Sequence, residues 1–426
     1  MKAFTKYIVV KNTINSSSLR FGFYGFTFSF LVQIAMIGKY LDNSIVSANA
    51  PLAIDAKDYV LLATNWVNQG FSQAFFNAHR TPGYPAIIYF FNLLFPDFPY
   101  LAIKLFQLLM VSVSIGILTY ILSKYFNSKF LILYSFLISL LPIWHFTPQI
   151  LAESLTFFVV TSTLLLLQFL CNSKHLIIIV ISLGVLSGVI IYLKPNNIII
   201  VPLIIFVMVI KIKSVIQYLG LFLIVLFAIL LPWFIHAEKS QGNFFTLSTS
   251  GGVSLYIGTG MESNSTSNLV LADSAARWRV SQEFNQSDVF KSNPNLTAQQ
   301  LNELYWETSV GIWKKRPLQQ IGFSFDKILI AFGVKSNALF DYLFGLFNLT
   351  AILSAIFYIF KDSYRIIGFS TLIMTFLLSA QAAAFQADRR FIVAVFLPFA
   401  AIIIGLFFLE TVAIVKRYMR QLSNLI

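Results

Sequence analysis

Apolar runs separated by short basic linkers set the pattern of this chain. They cover about residues 21–41, 101–123, 130–147, 153–171, 175–193, 197–210, 215–235, 338–360, 366–385 and 391–415. A helix needs about 20 mostly apolar residues to cross a hydrocarbon core roughly 30 Å thick, so the pattern predicts about ten transmembrane helices. A shorter amphiphilic stretch, Tyr84 to Phe95, is long enough to lie in the membrane interface and short for crossing it. It is read as a re-entrant or interfacial helix.

Two long segments interrupt the rhythm, 42–100 and 236–337. The second is rich in Asn, Ser, Gln and Thr, is broken by Gly251, Gly252, Gly258 and Gly260, and has helical periodicity from Thr297 to Lys314. It predicts a small extracytoplasmic cap. The chain then divides into an N-terminal transmembrane module (1–235) carrying the first outer loop (42–100), the cap (236–337) and C-terminal transmembrane helices (338–426).

Composition agrees with a membrane class: 58% of residues are hydrophobic and 11% charged, and the mean hydropathy is +0.78. The basic residues fix an orientation. Lys2, Lys6, Lys11 and Arg20, then Lys124 and Lys129, Lys174, Lys211 and Lys213, Lys361 and Arg365, and Lys416, Arg417 and Arg420 all fall on one side of a ten-span chain. The positive-inside rule puts that side, and both termini, in the cytoplasm. The net charge of +13 then reflects topology and contact with anionic membrane lipids, not nucleic-acid binding. The first span lacks a convincing small-residue cleavage site and is expected to stay on. No internal repeat is visible, which argues against a transporter built from duplicated halves.

One cysteine, Cys171, excludes a disulfide framework and a cysteine-based metal cluster. The histidines, His79, His145, His175 and His236, are too far apart in sequence to form a helical ligand pair. No metal or other cofactor is predicted, although Asp55, Asp58 and Glu153 would be the groups to gather a divalent ion. Trp66, Trp233, Trp306 and Trp313 are expected as interface anchors.

Candidate chemistry collects at the outer ends of the spans. In PLAIDAKDYVLLATNW, Asp55, Asp58, Tyr59 and Leu62 share one helix face. A partly desolvated carboxylate beside another acid can gain the proton affinity of a general base, or the pair can be first-turn acids favoured by the helix dipole. HRTPGYP follows at 79–85, where Pro82, Gly83 and Pro85 force a rigid turn after Arg80. Arg80, Lys194 in YLKPNN, and Arg389 and Arg390 in QADRRF are cations at headgroup depth on the side where cations are disfavoured. They suit a lipid-anchored phosphate, with snorkelling to headgroups as the bland alternative. Glu153, in PQILAESLTFF, is a further ionisable group at this border and ranks behind Asp55 as a catalyst. Tyr59, His79 and Tyr84 are candidate substrate contacts, with packing as the usual role of such a histidine.

Taken in order, IDAKDYVLLA, HRTPGYPAIIYFF, LAESLTFF, LKPNN, LPWFIHAEKSQGNFFTLSTSGGVSLYIGTG and DRRFIVAVFLPF resemble the landmarks of the GT-C glycosyltransferases of family 39 and their bacterial relatives. These include the protein O-mannosyltransferases and the aminoarabinose transferase of lipid A. The resemblance implies an all-α, GT-C-like polytopic membrane protein. Its implied reaction is inverting transfer of a sugar from a polyprenyl-phosphate donor to a lipid, glycan or protein acceptor on the extracytoplasmic face, in a bacterium at the inner membrane. It also makes Asp55 the base. This sequence departs from the family pattern at Ala56, where a second acid is common, at Lys194, where arginine is usual, and at His236 and Ala237, which replace an Arg-Asn pair. Rival readings are a lipid-linked sugar flippase or transporter and a polysaccharide polymerase or ligase.

Overall fold

The computed structural model describes residues 16–44, 53–69, 80–126, 130–140, 143–170, 175–212, 214–241, 243–248, 251–260, 296, 298–334, 339–385 and 392–423. All regular elements among them are helical. The N-terminal part holds α1 (Ser16–Ile37), α2 (Ala53–Gln69), α3 (Gly83–Leu94), α4 (Pro99–Ser123), α5 (Phe130–Ser139), α6 (Ile143–Phe146), α7 (Glu153–Phe169), α8 (Leu176–Leu193), α9 (Ile200–Lys211) and α10 (Val215–Gln241). Next come α11 (Gly251–Gly260), α12 (Ala298–Lys315) and α13 (Pro317–Ala331), followed by α14 (Leu339–Ile359), α15 (Arg365–Ala384) and α16 (Leu397–Ser423).

Local chemistry sets several of these boundaries. Pro99 and Pro317 open α4 and α13, where a missing N–H is harmless and φ is already helical. Glu153 sits in the first turn of α7, where the helix dipole favours an acid. Lys194 ends α8 in an extended conformation (φ −154, ψ 122) because Pro195 disfavours the helical region for the residue before it.

Among the described residues, seven helices are long and apolar enough to cross a membrane: α1, α4, α8, α10, α14, α15 and α16 with the π turn Ile392–Phe396 before it. The other three expected spans are shorter. Residues 130–147 are divided between α5 and α6, with Pro142 between them in sequence. Residues 197–210 begin in a 3₁₀ turn, Pro195–Ile199, that leads into α9. The 17 residues of α7 reach about 25 Å, short of the hydrocarbon thickness. The expected interfacial helix is α3, and the helix expected from Thr297 to Lys314 is α12.

The last helix is the axis of the bundle, with 83% of its most apolar window buried against 22% for α1 at the rim. The Tyr134 hydroxyl ties α5 to this axis by donating to the Ala401 carbonyl at 2.5 Å. On the rim, α1 crosses α4 closely at two glycines, where a Cβ on Gly116 would lie 2.9 Å from the Gly22 carbonyl oxygen.

One expectation needs correction. Trp66 and Trp233 are not interface anchors but core residues, each 1% exposed; the Trp233 indole donates to the Thr246 carbonyl at 3.1 Å. An indole with its N–H satisfied internally gains more from burial than from a headgroup contact. Trp306, 47% exposed, stays on the surface. α13 lies in the segment expected to form the extracytoplasmic cap. Its inward face carries Gln320, Ser324 and Lys327, donating to the carbonyls of Thr259, Ala383, and both Gly258 and Phe385. Its outward face carries exposed Leu318, Ile321, Phe325 and Leu329. The buried polar groups of α13 are thus satisfied by backbone carbonyls of neighbouring segments.

Candidate functional site

The site grows from α2. Ala56, Tyr59, Val60, Ala63 and Trp66 recur at helical spacing and are buried, so this face packs inward. The Tyr59 ring meets Tyr84 of α3 edge-on with centroids 5.0 Å apart, and Trp66 meets Tyr89 at 6.2 Å. Asp58, one residue round the helix, is half exposed and accepts from Arg80 Nη2 at 3.1 Å. The Arg80 guanidinium also lies over the Tyr59 ring, 5.3 Å from its centroid. A carboxylate and a ring face together hold the planar cation in a defined direction.

The turn after Arg80 is built for close approach. A Cβ on Gly83 would lie 2.5 Å from the Tyr192 carbonyl oxygen and 2.9 Å from the Leu193 nitrogen, so only glycine lets α3 start against the end of α8. The next residue along α8 is Lys194. Its Nζ donates to Glu153 Oε1 at 2.5 Å, with the two side chains 11% and 1% exposed. Asn197, buried just beyond, donates to the Ile190 carbonyl at 3.2 Å and fixes the turn.

Tyr84 joins the two halves. It is fully buried, and its hydroxyl donates to Gln107 Oε1 at 2.6 Å. The Gln107 amide in turn donates to the carbonyls of Thr147 at 2.8 Å and Gln149 at 2.7 Å. Burial pushes the Tyr84 phenol well above its ordinary pKa, and the charges of Glu153 and Tyr59 add to this. Tyr84 is therefore a neutral donor within electrostatic reach of the buried acid.

Of the residues singled out from sequence, the structure brings Asp58, Tyr59, Arg80, Tyr84, Glu153 and Lys194 to one end of the bundle. Asp55 lies in the first turn of α2, and its side chain is outside the described residues. His79, Arg389 and Arg390 are also outside them. Arg80 and Lys194 each have a carboxylate partner rather than standing as isolated cations. Among the described residues, no three His, Cys, Asp or Glu side chains gather as metal ligands.

Sequence reasoning missed the supports. Lys104 is fully buried in the first turns of α4, where its Nζ donates to Asp42 at 2.5 Å and to the Tyr40 carbonyl at 3.1 Å. Gln33 of α1 donates to Ser112 at 2.9 Å and accepts from Thr147 at 3.1 Å. The available signal was a polar side chain inside an apolar run, as at Gln33, Lys104 and Gln107.

Fold and site together define an all-helical polytopic membrane protein with its candidate site at one end of the bundle. Searches of family models and of curated proteins return no match to the sequence. A solved structure, the archaeal oligosaccharyltransferase AglB from Archaeoglobus fulgidus in complex with an inhibitory peptide and a dolichol-phosphate, matches with a TM-score of 0.51 at 13% identity. The match covers 95% of this chain and 52% of that one, so the chain spans about half the length of the oligosaccharyltransferase. The likeness shows a GT-C-like fold.

Proposed function

We propose that the chain is a membrane glycosyltransferase that moves a sugar from a polyprenyl-phosphate donor to a hydroxyl or amine acceptor on the extracytoplasmic face. The observation that carries this reading is the contact made at Gly83, which seats the Arg80 turn on the backbone leading to Lys194. Two cations and two acids from segments far apart in sequence thereby come to one end of the bundle. The dolichol-phosphate named in the oligosaccharyltransferase complex is a ligand of the class this end would suit. The family 39 resemblance adds the narrower assignment of a monophosphate donor.

In the proposed reaction Asp55 takes the proton of the acceptor as its oxygen or nitrogen attacks the anomeric carbon. The bond from that carbon to the phosphate oxygen breaks with inversion, and its electron pair leaves with the polyprenyl phosphate. Arg80, Lys194 and Arg389 or Arg390 offset the negative charge, with Asp58 and Glu153 holding the first two in direction. His79 is assigned to the sugar side, while Tyr59 and Tyr84, buried against each other, support the Arg80 turn from behind.

The test is transfer by purified full-length protein. Asp55→Asn should lower the rate by roughly 10²- to 10⁴-fold while leaving expression and membrane insertion intact. Unchanged transfer by that variant removes Asp55 as the base. Turnover of a pyrophosphate-linked chain with none of a monophosphate-linked sugar favours a polymerase or ligase instead. Movement of the donor across the membrane without transfer favours a flippase.

A further inference from the structure

Far from this site, at the other end of α4, a second feature calls for a ligand. The 25 residues of α4 span about 37 Å, with Lys104 near the first turn and Lys124 at the C-cap. A groove of about 490 Å³ runs where α1, α4 and α7 meet. Its walls are apolar, with Phe23 and Phe26 from α1 and Leu165 and Phe169 from α7, and Gly22 and Gly116 at the helix crossing leave it depth. Phe23 is 63% exposed, so the groove opens outward on the face that apolar composition assigns to lipid.

Tyr120 and Phe169 wall this groove, and the Lys124 ammonium lies over both rings, 4.8 Å and 5.6 Å from their centroids. The Lys124 Nζ is shielded from solvent and, among the described residues, has no hydrogen-bond acceptor. Cation–π contact attracts an ammonium but leaves its three N–H donors unsatisfied. A shielded ammonium without an acceptor is costly, and an anion brought to it removes that cost.

We propose that this groove is a binding site for an anionic phospholipid, with one acyl chain lying between α1 and α7 and the headgroup phosphate accepting from Lys124 Nζ. The apolar trough gives the chain a place, and the charge at its end chooses the headgroup. The site is independent of the transfer reaction and stands or falls without it. The positive-inside pattern puts it in the cytoplasmic leaflet, where anionic lipids attract basic residues near helix ends.

Native mass spectrometry of the purified full-length protein, titrated with phosphatidylglycerol or with phosphatidylcholine of the same acyl chains, tests this. The wild type should take up its first phosphatidylglycerol about five- to tenfold more tightly than phosphatidylcholine. Lys124→Gln should remove that preference and Lys124→Arg should keep it. Lys416→Gln is the control, because Lys416 also lies over a ring, Phe130 at 4.8 Å, but that ring, unlike Tyr120 and Phe169, is not a wall of the groove. Equal affinity of wild type and folded Lys124→Gln for phosphatidylglycerol overturns the proposal. So does a wild type that does not distinguish the two lipids, which decides the matter even if the variant fails to fold. Displacement of phosphatidylglycerol by inorganic phosphate alone would assign Lys124 to a soluble anion and overturn it as well.

Discussion

Each end of the bundle carries a lysine–carboxylate pair, in opposite surroundings. At the site end Lys194 and Glu153 are 11% and 1% exposed. At the other end Lys361 pairs with Glu410, with side chains 36% and 26% exposed, beside the Phe357 ring and the Tyr358 hydroxyl. Water solvates the second pair in part, so its formation displaces little and stabilises little. The first pair has given up hydration, and mutual attraction in a poorly polar interior repays that only in part. Two apolar side chains of similar volume would fit the same space at no loss of stability. Among the described residues the buried pair stands at one end alone, beside the Arg80 turn, and it therefore points to a requirement other than stability.

The largest effect expected from this contrast is on stability. Lys194→Met leaves the Glu153 carboxylate buried without its cation and should cost about 3–5 kcal/mol, read as a drop in the unfolding midpoint of detergent-solubilised protein. Adding Glu153→Leu should return most of that loss while transfer stays absent. If the single variant is as stable as wild type, the pair is hydrated and the contrast between the two ends is gone.

Next in size is Gly83→Ala. Its Cβ would meet the Tyr192 carbonyl at 2.5 Å, a backbone atom that cannot swing aside. α3 must shift away from α8, at about 1–3 kcal/mol. Because that shift moves Arg80 relative to Lys194, transfer should fall by more than the lost stability accounts for. Activity that tracks stability alone would mean the two motifs need not touch.

Much of this architecture is legible in the apolar pattern. The ten runs all become helices, α3 and α12 fall where periodicity places them, and Pro195 marks the end of α8. The site is legible as a set of residue types, because Arg80, Lys194 and Glu153 are ionisable groups at the edges of apolar runs. Its pairing is not legible. Arg80 meets Asp58 across 22 positions and Lys194 meets Glu153 across 41, and nothing local in either segment encodes which acid takes which cation. That choice follows from how closely α3 and α8 approach. Trp66 and Trp233 are misread because a hydropathy pattern gives the amount of apolar surface, not the side on which it faces.

A smaller effect, read through pH, is expected at Asp42. Burial raises the Asp42 carboxyl, but hydrogen bonds from Lys104 and Ser44, with the Lys104 charge, outweigh it, so its pKa falls below the ordinary 3.8. A depressed carboxyl contributes stability that is present above 3.8 and is lost as pH falls through the folded value. Asp42 is half exposed, so screening limits the contribution to about 1 kcal/mol. Asp42→Asn should therefore lower the unfolding midpoint slightly at pH 7, and the gap to wild type should close as pH drops below 3.8. A gap that persists at the lowest pH would mean the side chain acts through packing.

The smallest change is expected at the far pair. Lys361→Met removes an ammonium that shares its carboxylate with the Tyr358 hydroxyl and already lies against water. The loss should be about 0.5 kcal/mol, close to the resolution of a melting curve, and transfer should be unaffected because, among the described residues, no candidate site residue touches this end. Glu410 keeps the Tyr358 hydrogen bond at 2.9 Å, so no buried charge is stranded. Raising the ionic strength should shrink even this difference, whereas the Lys194→Met loss should hardly respond, since salt screens exposed charges and not sequestered ones. A loss at Lys361 as large as that at Lys194 would show that solvent access does not divide the two ends, and the functional reading of the buried pair would lose its physical basis.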